Sequence, residues 1–238
     1  MDTRFLNIPD PFKVLDNYES YSPTKSCYLD GRYVNLVLKD VEEFCRRPIK
    51  IKIIHDKNGN IIKNVIKSKM IEIKKGMNII RVIIKSTYTI HSALLWLDTD
   101  NMVAIFTNIV HSKEPVIKSL KQTVYNLIEE YINVFGDWDF DVNEIETPKL
   151  NINDSCTASG FCNAYVIKQV LDYADDIVFD PNVDILRFAA AIEANYSKFL
   201  NPNEEPEIEY FFGLGLGLGL LGGFALGSVV HRHHCRGY

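Results

Sequence analysis

Ser159-Gly160-Phe161-Cys162-Asn163-Ala164-Tyr165-Val166-Ile167-Lys168-Gln169-Val170-Leu171 places a cysteine where a glycine-led turn becomes an amphipathic helix. Beyond the cysteine, apolar side chains recur at helical spacing and predict one apolar stripe. A thiol in the first turn of a helix lies beside unpaired backbone N–H groups and the positive end of the helix dipole. Both favour the thiolate over the thiol, so Cys162 is the candidate nucleophile.

A histidine in a β-rich run is the candidate base for that thiol. The run from Tyr88 to Asp98 contains His91, and a turn at Thr99-Asp100-Asn101 leads into a return strand from Met102 to Asn108. Taken alone, a free cysteine is usually a packing residue and a strand histidine is usually structural. Together they supply the thiolate at a helix start and the imidazole on a strand that a cysteine hydrolase needs. The pair predicts a cysteine–histidine hydrolase.

Length and cysteine usage limit the protein class. The chain has 238 residues, a formal net charge of -5 and five cysteines. It is long enough for one domain with a sizeable core plus an appendage. The odd cysteine count and the polar start Met1-Asp2-Thr3-Arg4, with no apolar signal sequence, predict synthesis in the cytosol with reduced thiols.

Charge is distributed unevenly along the chain. Lysine and arginine dominate between Cys45 and Lys85, whereas acids dominate from Glu129 to Glu209. Solvated edges of strands and helices account for such runs, and a basic surface for an acidic partner is the alternative. No aromatic platform or recognition motif is interleaved with the lysines, so no nucleic acid is expected as a partner.

The predicted elements indicate an α+β fold. Residues 1–48 are predicted to form an extended arm, Met1 to Ser26, and a helix from Tyr33 to Arg47 that Pro48 ends. Residues 49–200 then form the main domain, beginning with a β-hairpin about the turn Asp56-Lys57-Asn58-Gly59-Asn60. Within it we predict a strand at Asn78–Ile84, an amphipathic helix from Val116 to Phe135, an acidic loop from Asp137 to Glu146, and a helix after Asp180-Pro181-Asn182.

The order of histidine strand, hairpin, return strand, long helix, loop and Gly-Phe-Cys at a helix start resembles the adenovirus-protease and SUMO-protease group of cysteine peptidases, in particular the divergent branch found in large DNA viruses. The resemblance covers roughly Asn78 to Leu200. It implies a papain-like or adenain-like fold, in which a mostly antiparallel sheet packs on helices. It also implies that Cys162 is the nucleophile and His91 the general base.

The same resemblance implies a third side chain, Asp, Glu or Asn, near the end of the return strand. Asn108 lies at the expected spacing from His91, and an amide can orient an imidazole as it does in Cys-His-Asn triads. Thr107 would fill the position if the hairpin is one residue shorter, and Asp98 or Asp100 are weaker alternatives. The resembled group usually has a glutamine several residues before the cysteine as the oxyanion donor, and none occurs between Thr147 and Cys162. Asn153 or a backbone N–H of the turn from Ser159 to Cys162 is therefore the candidate oxyanion donor here.

The C-terminal part differs in kind from the rest. After a linker at residues 201–210, Phe211 to Val230 runs without a charge for the length that crosses a hydrocarbon core. Glycines four positions apart give it a small-residue face that favours helix packing in lipid and self-association. Residues 231–238 form a basic tail. We expect a C-terminal tail anchor with the bulk domain in the cytosol, on a virion or viral factory membrane; the alternative is a flexible glycine-rich tail.

The sequence therefore predicts a membrane-anchored cysteine endopeptidase or isopeptidase. The resemblance implies that it cleaves protein substrates at small-residue sites and that it has a role in viral assembly. The glycine pair in Leu221-Gly222-Gly223-Phe224 is a candidate site in the chain itself. The chemistry needs no cofactor and no metal ion. The alternative function is a catalytically inactive structural or adaptor protein on the same fold, tethered to a membrane.

Overall fold

The computed structural model describes residues 11–26, 28–41, 45–55, 61–66, 73–85, 90–111, 124–126, 128–133, 135–148, 150 and 161–204. Helices and strands alternate irregularly along the chain, which confirms the α+β class. The helices are α1 (Pro11–Asn17), α2 (Arg32–Asp40), α3 (residues 124–126 and 128–132), α4 (Cys162–Ala174) and α5 (Ile185–Tyr196). The strands are β1 (Cys45–His55), β2 (Ile61–Ile66), β3 (Met77–Lys85), β4 (Ile90–Asp98), β5 (Val103–His111) and β6 (Asp139–Thr147).

All six of these strands form one sheet in the order β2-β1-β3-β4-β5-β6. The pairs β1–β2, β3–β4 and β4–β5 are antiparallel, whereas β1–β3 and β5–β6 are parallel. The sheet is therefore mixed, where a mostly antiparallel one was expected. Two consecutive strands can pair in parallel only if a long connection joins them. The connection between β5 and β6 is long and contains α3, so it allows this parallel pair.

The two faces of the sheet are covered by different helices. Side chains alternate along a strand, so Leu94 faces a cluster with α1, α2, α4 and α5, while Ala93 and Leu95 face a cluster with α3. Helix α4 is buried along its length from Cys162 to Asp172, because the sheet lies on one side and the other helices on the rest. The predicted helix start at Cys162 is confirmed, with Phe161 as its N-cap residue.

The predicted helix from Tyr33 to Arg47 is too long. Helix α2 ends at Asp40, and the chain from Cys45 onward already belongs to β1. Pro48 lies within that strand instead of ending a helix. Proline has no N–H to donate to a sheet ladder, and the β1–β3 register shifts between Arg46 and Ile49, on either side of it.

The predicted acidic loop is a strand. Asp139–Thr147 pairs with β5 in parallel and forms the edge of the sheet. Exposed acids alternate there with partly buried residues such as Phe140 and Val142, and the acidic composition conceals this period of two. A strand at the edge of a sheet tolerates charged residues on its exposed side.

The N-terminal segment is only partly an extended arm. Pro11–Asn17 is a helix, with proline at its first position where no N–H is needed. The segment after it lies on α5: the N–H of Thr24 donates to the carbonyl of Leu186, and the guanidinium of Arg187 donates to the carbonyl of Tyr21 at 2.7 Å. These contacts attach the segment to the core of the domain.

The hairpin of β1 and β2, the strand β3 and the turn after Asp98 agree with the sequence predictions. The start of the predicted Val116–Phe135 helix, the linker beyond Glu204 and the tail from Phe211 lie outside the described residues. Of the helices in the described part of the chain, none is both long and apolar enough to cross a bilayer. The predicted division of the chain into domains stays a prediction.

Candidate active site

The candidate site lies where two central strands separate. In the described part of the chain, the β4–β5 ladder runs from the pair Asp98–Val103 to Leu94–Thr107 and ends there. On either side the sheet continues: β3 pairs with β4 as far as Ile90, and β5 pairs with β6 as far as His111. Residues of β4 before Leu94 and of β5 after Thr107 do not pair with each other in this ladder. Their backbone groups and side chains are therefore available for other partners.

Helix α4 directs its first residue at this separation. The Cys162 thiol is fully buried, and the backbone N–H of Ser92 donates a hydrogen bond to its sulfur at 3.2 Å. Ser92 follows His91 in β4, so the thiol lies next to the backbone of the predicted base. The N–H donor and the N-terminus of α4 both favour negative charge on sulfur, whereas burial opposes it.

His91 and Asn108 meet across the gap, as the spacing between them predicts. The imidazole Nε2 lies 2.7 Å from the amide Oδ1 of Asn108. His91 is partly exposed and Asn108 is buried. Burial lowers the pKa of His91 below its ordinary 6.5, while the hydrogen bond to Asn108 acts in the opposite direction. The lowered pKa favours the neutral imidazole, which is the form that accepts a proton.

The structure thus places all three residues of the predicted catalytic set around the end of the β4–β5 ladder. The Nε2 of His91 contacts Oδ1 of Asn108, and the sulfur of Cys162 accepts from the backbone N–H of Ser92, the residue after His91. Thr107, considered as an alternative to Asn108, projects to the opposite face of β5. Asp98 lies at the far end of β4, where its carboxylate accepts from the N–H groups of Asp100 and Asn101 in the turn. Asn153, the candidate oxyanion donor, lies outside the described residues.

Neither a protein-family model nor a curated protein matches the sequence. Among solved structures, the chain is similar to the SUMO protease Ulp1 with its catalytic cysteine oxidised to a sulfenic acid, at 16% identity over 51% of this chain and 54% of that chain, with a TM-score of 0.32. It is also similar to the Ulp1 protease domain in complex with Smt3, the yeast ortholog of SUMO, at 15% identity over 48% of this chain and 49% of that one, with a TM-score of 0.33.

A third similar structure is the Legionella pneumophila effector protein RavZ, at 10% identity over 64% of this chain and 52% of that chain, with a TM-score of 0.38. The chain thus spans about half the length of each of these proteins. Similarity at these TM-scores assigns neither a family nor an activity to it.

A buried arginine links the residues that follow the histidine and the cysteine. Arg81 on β3 is fully buried, and its guanidinium donates to Ser92 Oγ at 3.0 Å and to Asn163 Oδ1 at 3.1 Å. It also donates to Asn35 Oδ1 of α2 at 3.1 Å. Ser92 Oγ donates in turn to Asn163 Oδ1 at 2.6 Å, and Asn163 donates to the carbonyl of Leu29.

This arginine cluster holds the start of α4 against β3 and β4. Two of its members, Ser92 and Asn163, directly follow His91 and Cys162 in the sequence. Sequence reasoning missed the cluster because Arg81 lies in the otherwise apolar run of residues 79–84 in β3, within the basic region of the chain. An isolated charge in the middle of an apolar strand is the signal that identifies it, since such a charge is buried only with hydrogen-bond partners.

The lowered pKa of His91 predicts how the unfolding free energy depends on pH. A folded pKa below 6.5 means that the unfolded chain binds this proton more readily than the folded chain does. The contribution of neutral His91 to stability is therefore fully present above about pH 6.5 and falls as the pH drops towards the folded pKa. An NMR titration should give His91 a pKa below 6.5, and His91→Gln should flatten the pH dependence of stability in that range. A pKa above 6.5 would contradict the prediction.

Within the described residues no group of three or more histidines, cysteines and acids could hold a metal ion.

Proposed function

We propose that the protein is a cysteine peptidase that cleaves peptide or isopeptide bonds in protein substrates. One observation supports the proposal: at the separation of β4 and β5, a thiol on a helix N-terminus accepts from the backbone N–H of Ser92, and the preceding residue is a histidine whose Nε2 contacts an asparagine oxygen. A thiol, an imidazole and a side chain that orients the imidazole are the three groups that nucleophilic catalysis by cysteine requires.

The tautomer of His91 suits it as the base. The Asn108 amide oxygen only accepts hydrogen bonds, so the proton in the 2.7 Å contact belongs to Nε2 of the imidazole. The lone pair is then on Nδ1. In the proposed reaction Nδ1 takes the thiol proton while the Cys162 sulfur attacks the substrate carbonyl carbon, which forms a tetrahedral oxyanion.

Collapse of that intermediate breaks the C–N bond, and the proton on Nδ1 passes to the departing amine. A water molecule then attacks the thioester, His91 again takes a proton, and the acid product leaves with the thiol restored. The oxyanion is placed near the N-terminus of α4, where backbone N–H groups point outward from the helix. Asn153 is the proposed side-chain donor to the same oxygen.

A substrate with small residues at the cut is part of the proposal. The chain itself contains the pair Gly222-Gly223 within its glycine-rich tail. Peptide reporters with Gly-Gly before the scissile amide bond are the first substrates to test with the full chain. Hydrolysis that requires Cys162 supports the proposal. The intact mass of the purified chain, compared with that of Cys162→Ala, tests cleavage at its own glycine pair.

The complete burial of Cys162 supports a second candidate function, a structural or adaptor protein on the same fold without activity. A packing cysteine is buried in this way, and a nucleophile must meet its substrate. The two candidates differ in one observable. In an adaptor, the thiol should react with small electrophiles only after the chain is unfolded.

Attachment to a membrane through Phe211–Val230, with the folded part on the cytosolic side, stays a proposal supported by the uncharged length and glycine spacing of that segment. The corresponding partners are a bilayer and, through the glycine face, a second copy of the chain. Flotation of the full chain with liposomes should be lost when residues 211–238 are removed. Flotation that survives the deletion would contradict the proposal.

A further inference from the structure

We propose that Glu144 and Tyr125 are positioning residues that fix the amide orientation of Asn108 and, through it, the tautomer of His91. The inference rests on the proposed function, because the tautomer matters only if Nδ1 of His91 takes the proton of Cys162. It concerns a side-chain network that starts on the edge strand β6 and ends at the imidazole.

The four residues lie on three adjacent strands and one helix. Glu144 on β6 is directly opposite Asn108 on β5 in the parallel register, and β4 carries His91 on the other side of the gap. Tyr125 of α3 covers them from the face that α3 occupies. Its ring packs edge-on against Phe106, with centroids 5.7 Å apart, which directs the hydroxyl towards the residue two positions further along β5.

The hydrogen bonds between these groups have a direction. An ionised glutamate only accepts, so the Tyr125 hydroxyl donates its proton to the Glu144 carboxylate. The Tyr125 oxygen then acts as an acceptor towards Asn108. The Asn108 Nδ2 group donates to that oxygen at 3.4 Å.

The orientation of the Asn108 amide determines the tautomer of the His91 imidazole. With its NH₂ group turned towards Tyr125, Asn108 presents its carbonyl oxygen to His91, and a carbonyl oxygen requires a proton on Nε2. Burial raises the pKa of Tyr125, so the phenol stays protonated and remains the donor in its hydrogen bond to Glu144. The Glu144 carboxylate thus favours the tautomer with its proton on Nε2 and its lone pair on Nδ1, although it does so through Tyr125 and Asn108.

An asparagine needs this support and an aspartate does not. The two ends of an amide differ in hydrogen-bonding role, and a reversed Asn108 would present NH₂ to the ring and require the proton on Nδ1. Both oxygens of a carboxylate accept hydrogen bonds, so a carboxylate would hold the proton on Nε2 of His91 in either orientation. An aspartate at this position would present an acceptor oxygen to His91 in either orientation. Asn108 does so only when Glu144 and Tyr125 orient its amide.

The test is the tautomer of His91 read from its ¹⁵N chemical shifts at alkaline pH, where the ring is neutral, with the signal assigned through His91→Gln. We expect the proton on Nε2 in the wild type. In Glu144→Gln and Tyr125→Phe the Nδ1-protonated form should increase several-fold. Glu146→Gln, an exposed acid two positions along the same strand, is the matched control and should change nothing.

A second variant separates positioning from a merely structural effect. In the double variant Asn108→Asp/Glu144→Gln the proton should return to Nε2, because the carboxylate accepts at either end. A wild-type ring with its proton on Nδ1, or an unchanged tautomer in both Glu144→Gln and Tyr125→Phe, would overturn the inference.

The NMR readout does not depend on hydrolysis, so it separates failure of this inference from failure of the proposed function. If the reporters are cut, Glu144→Gln should lower kcat about tenfold and leave KM unchanged, because second-layer partners orient a group that acts on the substrate. If they are not cut, the tautomer in the four variants still decides whether Glu144 and Tyr125 orient Asn108.

Discussion

Replacing Cys162 by alanine is expected to lower the rate of Gly-Gly reporter hydrolysis by about 10,000-fold or more. The sulfur is the atom that forms the bond to the substrate in the proposed mechanism, and no other residue described at the separation of β4 and β5 supplies a thiol. His91→Ala should cause a loss of similar size, because nucleophile and base act as one unit and their effects are not additive.

The fold should survive this change. The substitution removes one buried sulfur atom and leaves the N–H of Ser92 without its acceptor, which should cost about 1–2 kcal/mol of unfolding free energy. Urea unfolding measures that cost, and Cys27→Ala serves as the control for activity. Hydrolysis that persists in Cys162→Ala at the wild-type rate would contradict the proposed nucleophile.

Arg81→Met is expected to lower the free energy of unfolding by about 3 kcal/mol. The guanidinium makes hydrogen bonds to Asn35, Ser92 and Asn163 inside the core, and bonds to a charged donor contribute roughly 1.5–3 kcal/mol each. Removing the charge also recovers part of the cost of burying it, which limits the net loss. Urea denaturation with an unchanged m-value is the measurement.

The matched control is Lys75→Met, an exposed side chain in the turn before β3, which should change stability by less than about 0.5 kcal/mol. Arg81→Lys should also destabilise the fold, because one ammonium group cannot bridge three acceptors as the planar guanidinium does. If Arg81→Met were as stable as the wild type, the arginine cluster would not be what holds the start of α4 to the sheet.

The helix start at Cys162 and the contact between His91 and Asn108 were predicted better than their surroundings, for physical reasons. Cys162 at a helix start and the distance between His91 and Asn108 depend on local features, namely a glycine-led turn, apolar periodicity and a short hairpin. Each of these is set by neighbouring residues, so it can be read without knowing the tertiary fold.

The features that were missed depend on contacts between distant parts of the chain. The residues Asp139–Thr147 form a strand because they pair with β5 at the edge of the sheet. The chain is already part of β1 at Cys45 because Cys45 pairs with Ile79 of β3. Arg81 and Glu144 find their partners on helices and strands remote in sequence. No local pattern marks these partners, although an isolated charge within an apolar run of a strand indicates that a partner is needed.

The proposed mechanism requires that Cys162 and His91 act as a nucleophile and its base. The most direct test is the rate at which iodoacetamide alkylates Cys162 in the folded full chain as a function of pH, read by mass spectrometry, in the wild type and in His91→Ala. We expect Cys162 to react near neutral pH faster than the other four cysteines of the chain, and to lose most of that reactivity in His91→Ala. A Cys162 that reacts only after unfolding, or equally well without His91, would contradict it.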